Sequence, residues 1–208
     1  MAADHRKSVS DYGALAAGYD RRTRLTSAVR LEAVAALELQ PGDTVLDAGC
    51  GTGFSFAAIL ERIGRRGRLF AFDPSPELLL LARARITAAG WSNVTLVQAT
   101  GEQASLGEEK PAALLFSYTH DVLQSEAALY NLLSQAAPGA RVALCGSVLW
   151  PAWAWPVNAY LRATHRRYIT NMDNFDRPWA KIAPRLEGFR VSRRGPGWRY
   201  LARGRLHA

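Results

Sequence analysis

The apolar positions of this chain fall into two rhythms. Short runs such as Val45-Leu46, Leu69-Phe70-Ala71-Phe72, Val94-Thr95-Leu96-Val97, Ala112-Ala113-Leu114-Leu115-Phe116 and Val142-Ala143-Leu144 are bounded by glycine, proline or polar residues. Unbroken runs of that length read as strands buried in a parallel sheet. Between them, Phe56-Ala57-Ala58-Ile59-Leu60 and Glu77 to Ile86 have helical character, as does the stretch around Val29, Leu31, Val34, Ala35 and Leu37. Pro41-Gly42-Asp43 launches the first strand, and Pro74-Ser75-Pro76 opens the helix that Gly90 stops. Two later runs, Gly188 to Ser192 and Trp198 to Arg203, joined through Gly195-Pro196-Gly197, predict a closing antiparallel pair. The expected fold is α/β: a single Rossmann-like domain with a seven-stranded, mostly parallel sheet, helices on both faces and an antiparallel C-terminal strand.

The first strand runs straight into Asp47-Ala48-Gly49-Cys50-Gly51-Thr52-Gly53 and then a helix. Alternate glycines permit positive φ and leave no β-carbon to keep a ligand off the backbone, while the helix start presents unpaired N–H groups. A dinucleotide fold wants Gly-x-Gly-x-x-Gly, whose third glycine would fall on Phe54, and a P-loop wants Gly-Lys-Ser/Thr, which is absent. The second strand ends at Asp73, where a carboxylate can accept both hydrogen bonds of a ribose diol.

Asp47-x-Gly49-x-Gly51-x-Gly53 resembles motif I of the class I methyltransferases that use S-adenosylmethionine. Asp73 and the Leu133 to Leu144 helix, Pro-Gly turn and strand resemble the same family at matching separations, and the likeness covers roughly Tyr12 to Ser147. In that family the acidic residue of motif I helps fix the loop and the cofactor's amino group. The resemblance implies S-adenosyl-L-methionine as cofactor, S-adenosyl-L-homocysteine as product, and a cofactor site of Asp47, Gly49, Cys50, Gly51, Gly53, Asp73, Pro74, Thr100, Gly101 and Ser117. One departure stands out. The family commonly places an Asp near Thr100 to bond the adenine amino group; here the Thr100 hydroxyl, Gln103 or a backbone carbonyl takes that place.

At 208 residues the length fits one domain. It divides into an N-terminal lid segment (1–40), a cofactor-binding core (41–147), and a Trp-rich, basic substrate-side segment with the closing strands (148–208). Residues 1–7 lack the apolar core of a signal peptide and no window has the apolar length of a membrane span, so a cytoplasmic address is expected. Cys50 and Cys145 suggest neither a disulfide framework nor a metal site, and buried thiols are preferred over a redox pair. The net charge of +8 is uneven: from Leu161 onward twelve Arg and Lys face Asp173, Asp176 and Glu187, so the positive field belongs to the C-terminal quarter. Nucleic acid, an anionic membrane surface or an acidic substrate would answer to such a field, as would plain solubility.

Ligands of an open α/β sheet gather at the carboxyl ends of its strands, so Tyr118, Thr119, His120 and Asp121, which follow the fourth strand, are expected to border the transfer site. His120 is the candidate base, against an orienting or structural role; Asp121 either holds its ring or caps the next helix. Tyr118 and Tyr19 are the other catalytic candidates, Tyr19 with Tyr12 through a resemblance to N-terminal segments that close over the cofactor, against a surface helix with aromatic anchors. No metal site is expected.

Trp150, Trp153 and Trp155, set among Pro151 and Pro156, predict an extended run that gathers indoles on one side. They fit an apolar substrate pocket, a membrane interface or a packing plug. Val157, Tyr160, Leu161, Thr164 and Tyr168, with Arg162, Arg166 and Arg167 around them, predict a basic amphipathic helix that either lies on an anionic surface or docks on the domain; Trp179 to Pro184 predicts a short helix.

The first functional expectation is methyl transfer to a small, partly apolar acceptor, as in the quinone-type and related small-molecule branches of the family. A peripheral lipid-headgroup N-methyltransferase and a non-catalytic S-adenosylmethionine-binding protein are the alternatives. Nucleic acid is disfavoured, because Ser117-Tyr118-Thr119-His120 stands where a base-methylating enzyme carries an Asn/Asp-Pro-Pro-Tyr motif.

Overall fold

The structure, a computed structural model, describes residues 26–165, 171–195 and 197–207. Tyr12, Tyr19 and the remainder of residues 1–25, with Arg166, Arg167 and Tyr168, lie outside the described residues.

The sheet is the expected one. Its strands are β1 (Thr44–Ala48), β2 (Arg68–Asp73), β3 (Val94–Gln98), β4 (Ala113–Ser117), β5 (Arg141–Ser147), β6 (Leu186–Arg194) and β7 (Arg199–Leu206), in the spatial order β3-β2-β1-β4-β5-β7-β6. The first five are parallel; β7 runs antiparallel to both β5 and β6. The order reverses between β1 and β4, so the loops leaving their carboxyl ends part and open a crevice there.

Alternation along the strands feeds two cores. Val45, Leu69, Ala71, Ala113, Leu115, Ala143 and Cys145 point to one face, where they meet α1 (Ser27–Ala36), α2 (Phe56–Ile63) and α3 (Pro76–Ala89). Leu46, Ala48, Phe72, Leu114, Phe116, Val142 and Leu144 point to the other, against Leu123 of α4 (His120–Gln124) and Leu129, Leu132 and Leu133 of α5 (Glu126–Ser134). Buried residues Phe56, Ile59, Leu60 and Ile63 recur at the three- and four-residue spacing of one helix face. Both ends of α3 follow local chemistry: the Ser75 hydroxyl accepts the Leu78 N–H at 3.3 Å, and Gly90, with φ of +65°, closes the other end as the Trp91 N–H reaches the Ile86 carbonyl.

Three local expectations give way. In α1 the buried set is Val29, Arg30, Ala33 and Val34, while Leu31 is exposed, because the helix lies across β4, β5 and β7 with its face rotated toward Arg30. The tryptophan segment is not extended: Ala152–Ala154 is a 3-10 turn and α6 (Trp155–His165) starts at Trp155, with Pro156 in the first turn, where a missing N–H leaves no bond unmade. The stretch from Asp173 to Ile182 is a chain of turns ending in a 3-10 turn at Ala183–Arg185, not a helix starting at Trp179. Its shape is set from a distance: Gln124 donates to the Pro178 carbonyl and accepts from the Asn174 amide. Among the described residues no helix is long and apolar enough to cross a membrane.

Candidate active site

β1 delivers Asp47 and Gly49 to the crevice, β2 delivers Asp73, and β4 delivers Ser117 and Tyr118. The turn after β1 is wound by its glycines, since Gly49, Gly51 and Gly53 have φ of +66°, +57° and +75°. A β-carbon on Gly49 would stand 2.5 Å from Thr119 Cγ2, so the turn also passes beside the end of β4. The Cys50 N–H donates to the Phe72 carbonyl at 2.9 Å and the Gly51 N–H to Asp73 Oδ2 at 2.8 Å. Asp73 Oδ1 accepts the Ser75 N–H at 3.0 Å. One carboxylate thus joins the glycine turn to the start of α3.

Asp47 lies beneath that turn, 1% exposed, with Oδ2 buried and without a hydrogen-bond partner. Burial pushes its carboxyl up to about 7; the Arg30 guanidinium opposes the shift and Asp73 adds to it. Burial likewise raises Asp73 to about 6, against the two N–H groups it accepts. A buried acceptor with no donor is costly in a closed structure.

Arg30 is the residue that sequence reasoning missed. Among the described residues it is the only buried arginine or lysine. Its Nη1 donates to Ser117 Oγ at 3.3 Å and its Nε to Thr26 Oγ1 at 3.2 Å, and the guanidinium stands 4.5 Å from the Tyr118 ring centroid and 5.7 Å from that of Phe54. Stacking on aromatic faces and bonding in the ring plane are what a buried guanidinium needs in order to stay charged. The Cys145 thiol donates to the same Ser117 oxygen, and burial raises the thiol to about 11. Cys50 is also buried and shifted up by burial, so both cysteines are protonated packing groups at neutral pH.

Tyr118 holds a left-handed backbone, φ +61°, rare for an aromatic residue. Its N–H donates to the Cys145 carbonyl at 2.8 Å, and burial raises its phenol well above the ordinary tyrosine range, so it stays a neutral phenol. His120 opens α4 and is 8% exposed. Its Nε2 lies 3.0 Å from the Asp173 carbonyl, and its ring meets Phe175 edge-on at 5.1 Å. A carbonyl can only accept, so Nε2 carries the proton and Nδ1 keeps a lone pair; Nδ1 is buried with no partner. Burial lowers the His120 pKa, against the Asp121 charge and the nearby carbonyls. Asp121 Oδ1 accepts the Asn171 N–H, which ties the returning chain to the site. A small cavity of about 30 Å³, room for a single water, lies among Tyr118, Thr119, His120, Gly146, Ser147, Phe175 and Tyr200.

The structure therefore brings Asp47, Gly49, Cys50, Gly51, Gly53, Asp73 and Pro74 together around one turn, with Ser117, Tyr118 and His120 at the neighbouring strand end. Gly101 sits where a β-carbon would lie 2.8 Å from Ala128 Cβ, and its carbonyl accepts the Asn131 amide, so it serves close packing against α5. The Thr100 carbonyl accepts the Gln103 and Ala104 N–H groups. Tyr19 lies outside the described residues. Among the described residues no group of three or more His, Cys, Asp and Glu is placed to hold a metal ion.

Residues 45–139, a little under half of the chain, match a family model described as a methyltransferase domain. A curated relative, the protein-L-isoaspartate O-methyltransferase of Ignicoccus hospitalis, is 39% identical over 70 residues, 34% of this chain and 33% of the relative. The chain spans about a third of the length of the curated relatives it matches. Among solved structures, an S-adenosylmethionine-dependent methyltransferase from Aquifex aeolicus aligns with a TM-score of 0.56 at 18% identity, covering 81% of this chain and 84% of that one. A complex of a Haloferax volcanii methyltransferase activator with a methyltransferase aligns with a TM-score of 0.67 at 15% identity, covering 95% and 98%. At such identities the likeness shows the fold, which is that of the class I methyltransferases.

Proposed function

We propose that this chain, whose residues 45–139 are a methyltransferase domain of the class I, S-adenosylmethionine-dependent kind, transfers a methyl group to a small, partly apolar acceptor at the carboxyl ends of β4 and β5. The observation that carries the reading is the pair of buried carboxyls flanking the Gly49–Gly53 turn, one of them with an oxygen that has no donor. That pair suits the cofactor. Asp47 offers its unmatched oxygen to the ammonium of the amino-acid end, the turn leaves its backbone open to close approach, and Asp73 is placed for a ribose diol at the end of β2. Arg30 supplies positive charge on the same side of the crevice for a carboxylate.

When bound, the cofactor supplies an activated sulfonium methyl, so the protein is left with alignment, exclusion of water and proton transfer. Tyr118, Phe175 and Tyr200 set aromatic rings around the one-water cavity beside His120, so the surface an acceptor would meet at this strand end is largely apolar. His120 is held by the Asp173 carbonyl in the tautomer whose Nδ1 can take a proton from an acceptor hydroxyl or ammonium. The curated relatives are named for methylating L-isoaspartate in proteins, so an isoaspartyl peptide is the competing acceptor to test.

Calorimetric titration of the protein with S-adenosylmethionine, and separately with NAD, tests the cofactor. Selective S-adenosylmethionine binding is expected, with protons released near pH 6–7 as Asp47 and Asp73 ionise against the ligand. NAD binding, or binding of neither, would overturn the reading. Methyl transfer to the isoaspartyl peptide in preference to phenols and amines would replace the small acceptor by a protein.

A further inference from the structure

Four of the large apolar side chains that stand exposed in the described residues fall within eight consecutive positions: Trp153 (75%), Trp155 (72%), Val157 (39%) and Tyr160 (68%). They occupy the 3-10 turn and the first half of α6, immediately after β5. The segment is fixed from behind. Leu161 is buried with Leu149 and Phe175, flanked by Trp150, Met172 and Trp198, and the Asn158 amide both accepts the Trp150 N–H at 2.8 Å and donates to the Trp150 carbonyl at 3.1 Å. A helix made only to cover the domain would turn its indoles inward. Here a leucine is the inward anchor, and the two largest side chains stand in solvent.

The charge of the segment that carries them has one sign. From Leu149 to Thr170 the sequence contains no Asp or Glu and contains Arg162, Arg166 and Arg167; Arg162 is exposed on α6 itself. Indole and phenol groups beside arginine, with no acid among them, match the headgroup zone of an anionic bilayer, where amphipathic rings settle at the apolar–polar boundary and basic groups meet lipid phosphates. Most protein partners would present mixed charge, which a segment carrying only basic groups meets with repulsion as often as attraction.

We propose that Trp153, Trp155, Tyr160 and Arg162 form a docking surface for an anionic lipid bilayer. Phe175, part of the anchor beneath this surface, touches the His120 ring, so the docking surface and the His120 end of the sheet are joined by one packed cluster. The docking itself does not depend on methyl transfer.

Cosedimentation of the full chain with phosphatidylglycerol–phosphatidylcholine vesicles, against pure phosphatidylcholine vesicles, tests it. The wild type is expected to bind the anionic vesicles with a blue shift in tryptophan emission and to release as salt rises. The triple substitution Trp153→Ser, Trp155→Ser, Tyr160→Ser is expected to weaken that binding about tenfold or more, with an unchanged thermal midpoint, since exposed side chains are removed. Arg162→Glu, a second variant that leaves the aromatics in place, is expected to weaken anionic-vesicle binding alone. Equal binding by the wild type and either variant, or binding indifferent to the anionic lipid, would overturn the proposal. So would a triple variant that turns a wild-type dimer into a monomer in sedimentation velocity, because the patch would then cover a second copy. Loss of S-adenosylmethionine binding in vesicle-free buffer would count against the cofactor reading and leave the docking result standing.

Discussion

Asp47 is an acid buried beneath the glycine turn, and the pH dependence of the protein should show it. Its carboxyl titrates near 7 in the folded chain against 3.8 in an exposed one. Between those values the unfolded chain gives up the proton and the folded chain keeps it, so the Asp47 contribution is whole below pH 3.8 and is lost as pH rises through 7. Asp47→Asn should remove that slope and stabilise the protein above pH 7 by about 1–3 kcal/mol, seen in urea unfolding at pH 5 and pH 8, while weakening cofactor binding. His120 runs the other way. Its lowered pKa means the unfolded chain takes up a proton first, so its contribution is lost as pH falls below 6.5. His120→Ala should leave cofactor affinity nearly intact and lower turnover about 100-fold or more; equal turnover would remove it from the chemistry. Asp47, Asp73 and His120 were legible because a glycine turn and strand ends announce the residues beside them. Arg30 was not. Next to Val29 in an amphipathic pattern an arginine reads as surface, and the partner that receives it inside, Ser117, lies 87 residues away.

At the scale of the element, the glycine turn is held by two separable demands, left-handed backbone and lack of room. Gly42 and Gly49 isolate them: both have positive φ, but a β-carbon on Gly42 meets nothing within 4 Å, whereas on Gly49 it strikes Thr119. Gly42→Ala should cost about 1 kcal/mol, for the backbone alone. Gly49→Ala should cost about 2–4 kcal/mol and abolish cofactor binding, with denaturant unfolding and calorimetry separating the two effects. Equal costs would mean that Thr119 moves aside freely. The five parallel strands and the caps at Ser75 and Gly90 were legible because their signals are local. The tryptophan segment and the turns from Asp173 to Ile182 were not. Asn158 bonding back to Trp150, and Gln124 gripping Asn174 and the Pro178 carbonyl, decide their shapes, and neither contact has a sequence period.

For the molecule as a whole, a ligand seated between β1, β2 and α3 couples to global stability, because its contacts are backbone and buried side chains of the central sheet. S-adenosylhomocysteine at about a hundred times its dissociation constant should add about 2.7 kcal/mol, which for a chain of this size raises the thermal midpoint by about 5–10 °C. No shift would mean the turn is architectural. The sheet also has a consequence for synthesis. β7 is the last of the seven strands to be translated, yet it lies inside the sheet, between β5 and β6. Until it emerges, the apolar β5, Val142-Ala143-Leu144-Cys145, shows the ribosome's surroundings an unpaired backbone edge. The stretch from β5 to the end of β7 takes about 3–12 s to make at ~5–20 residues per second. In that interval the nascent chain is a template for any passing strand, and a chaperone that shields hydrogen-bonding edges should matter more to its yield than the modest length suggests.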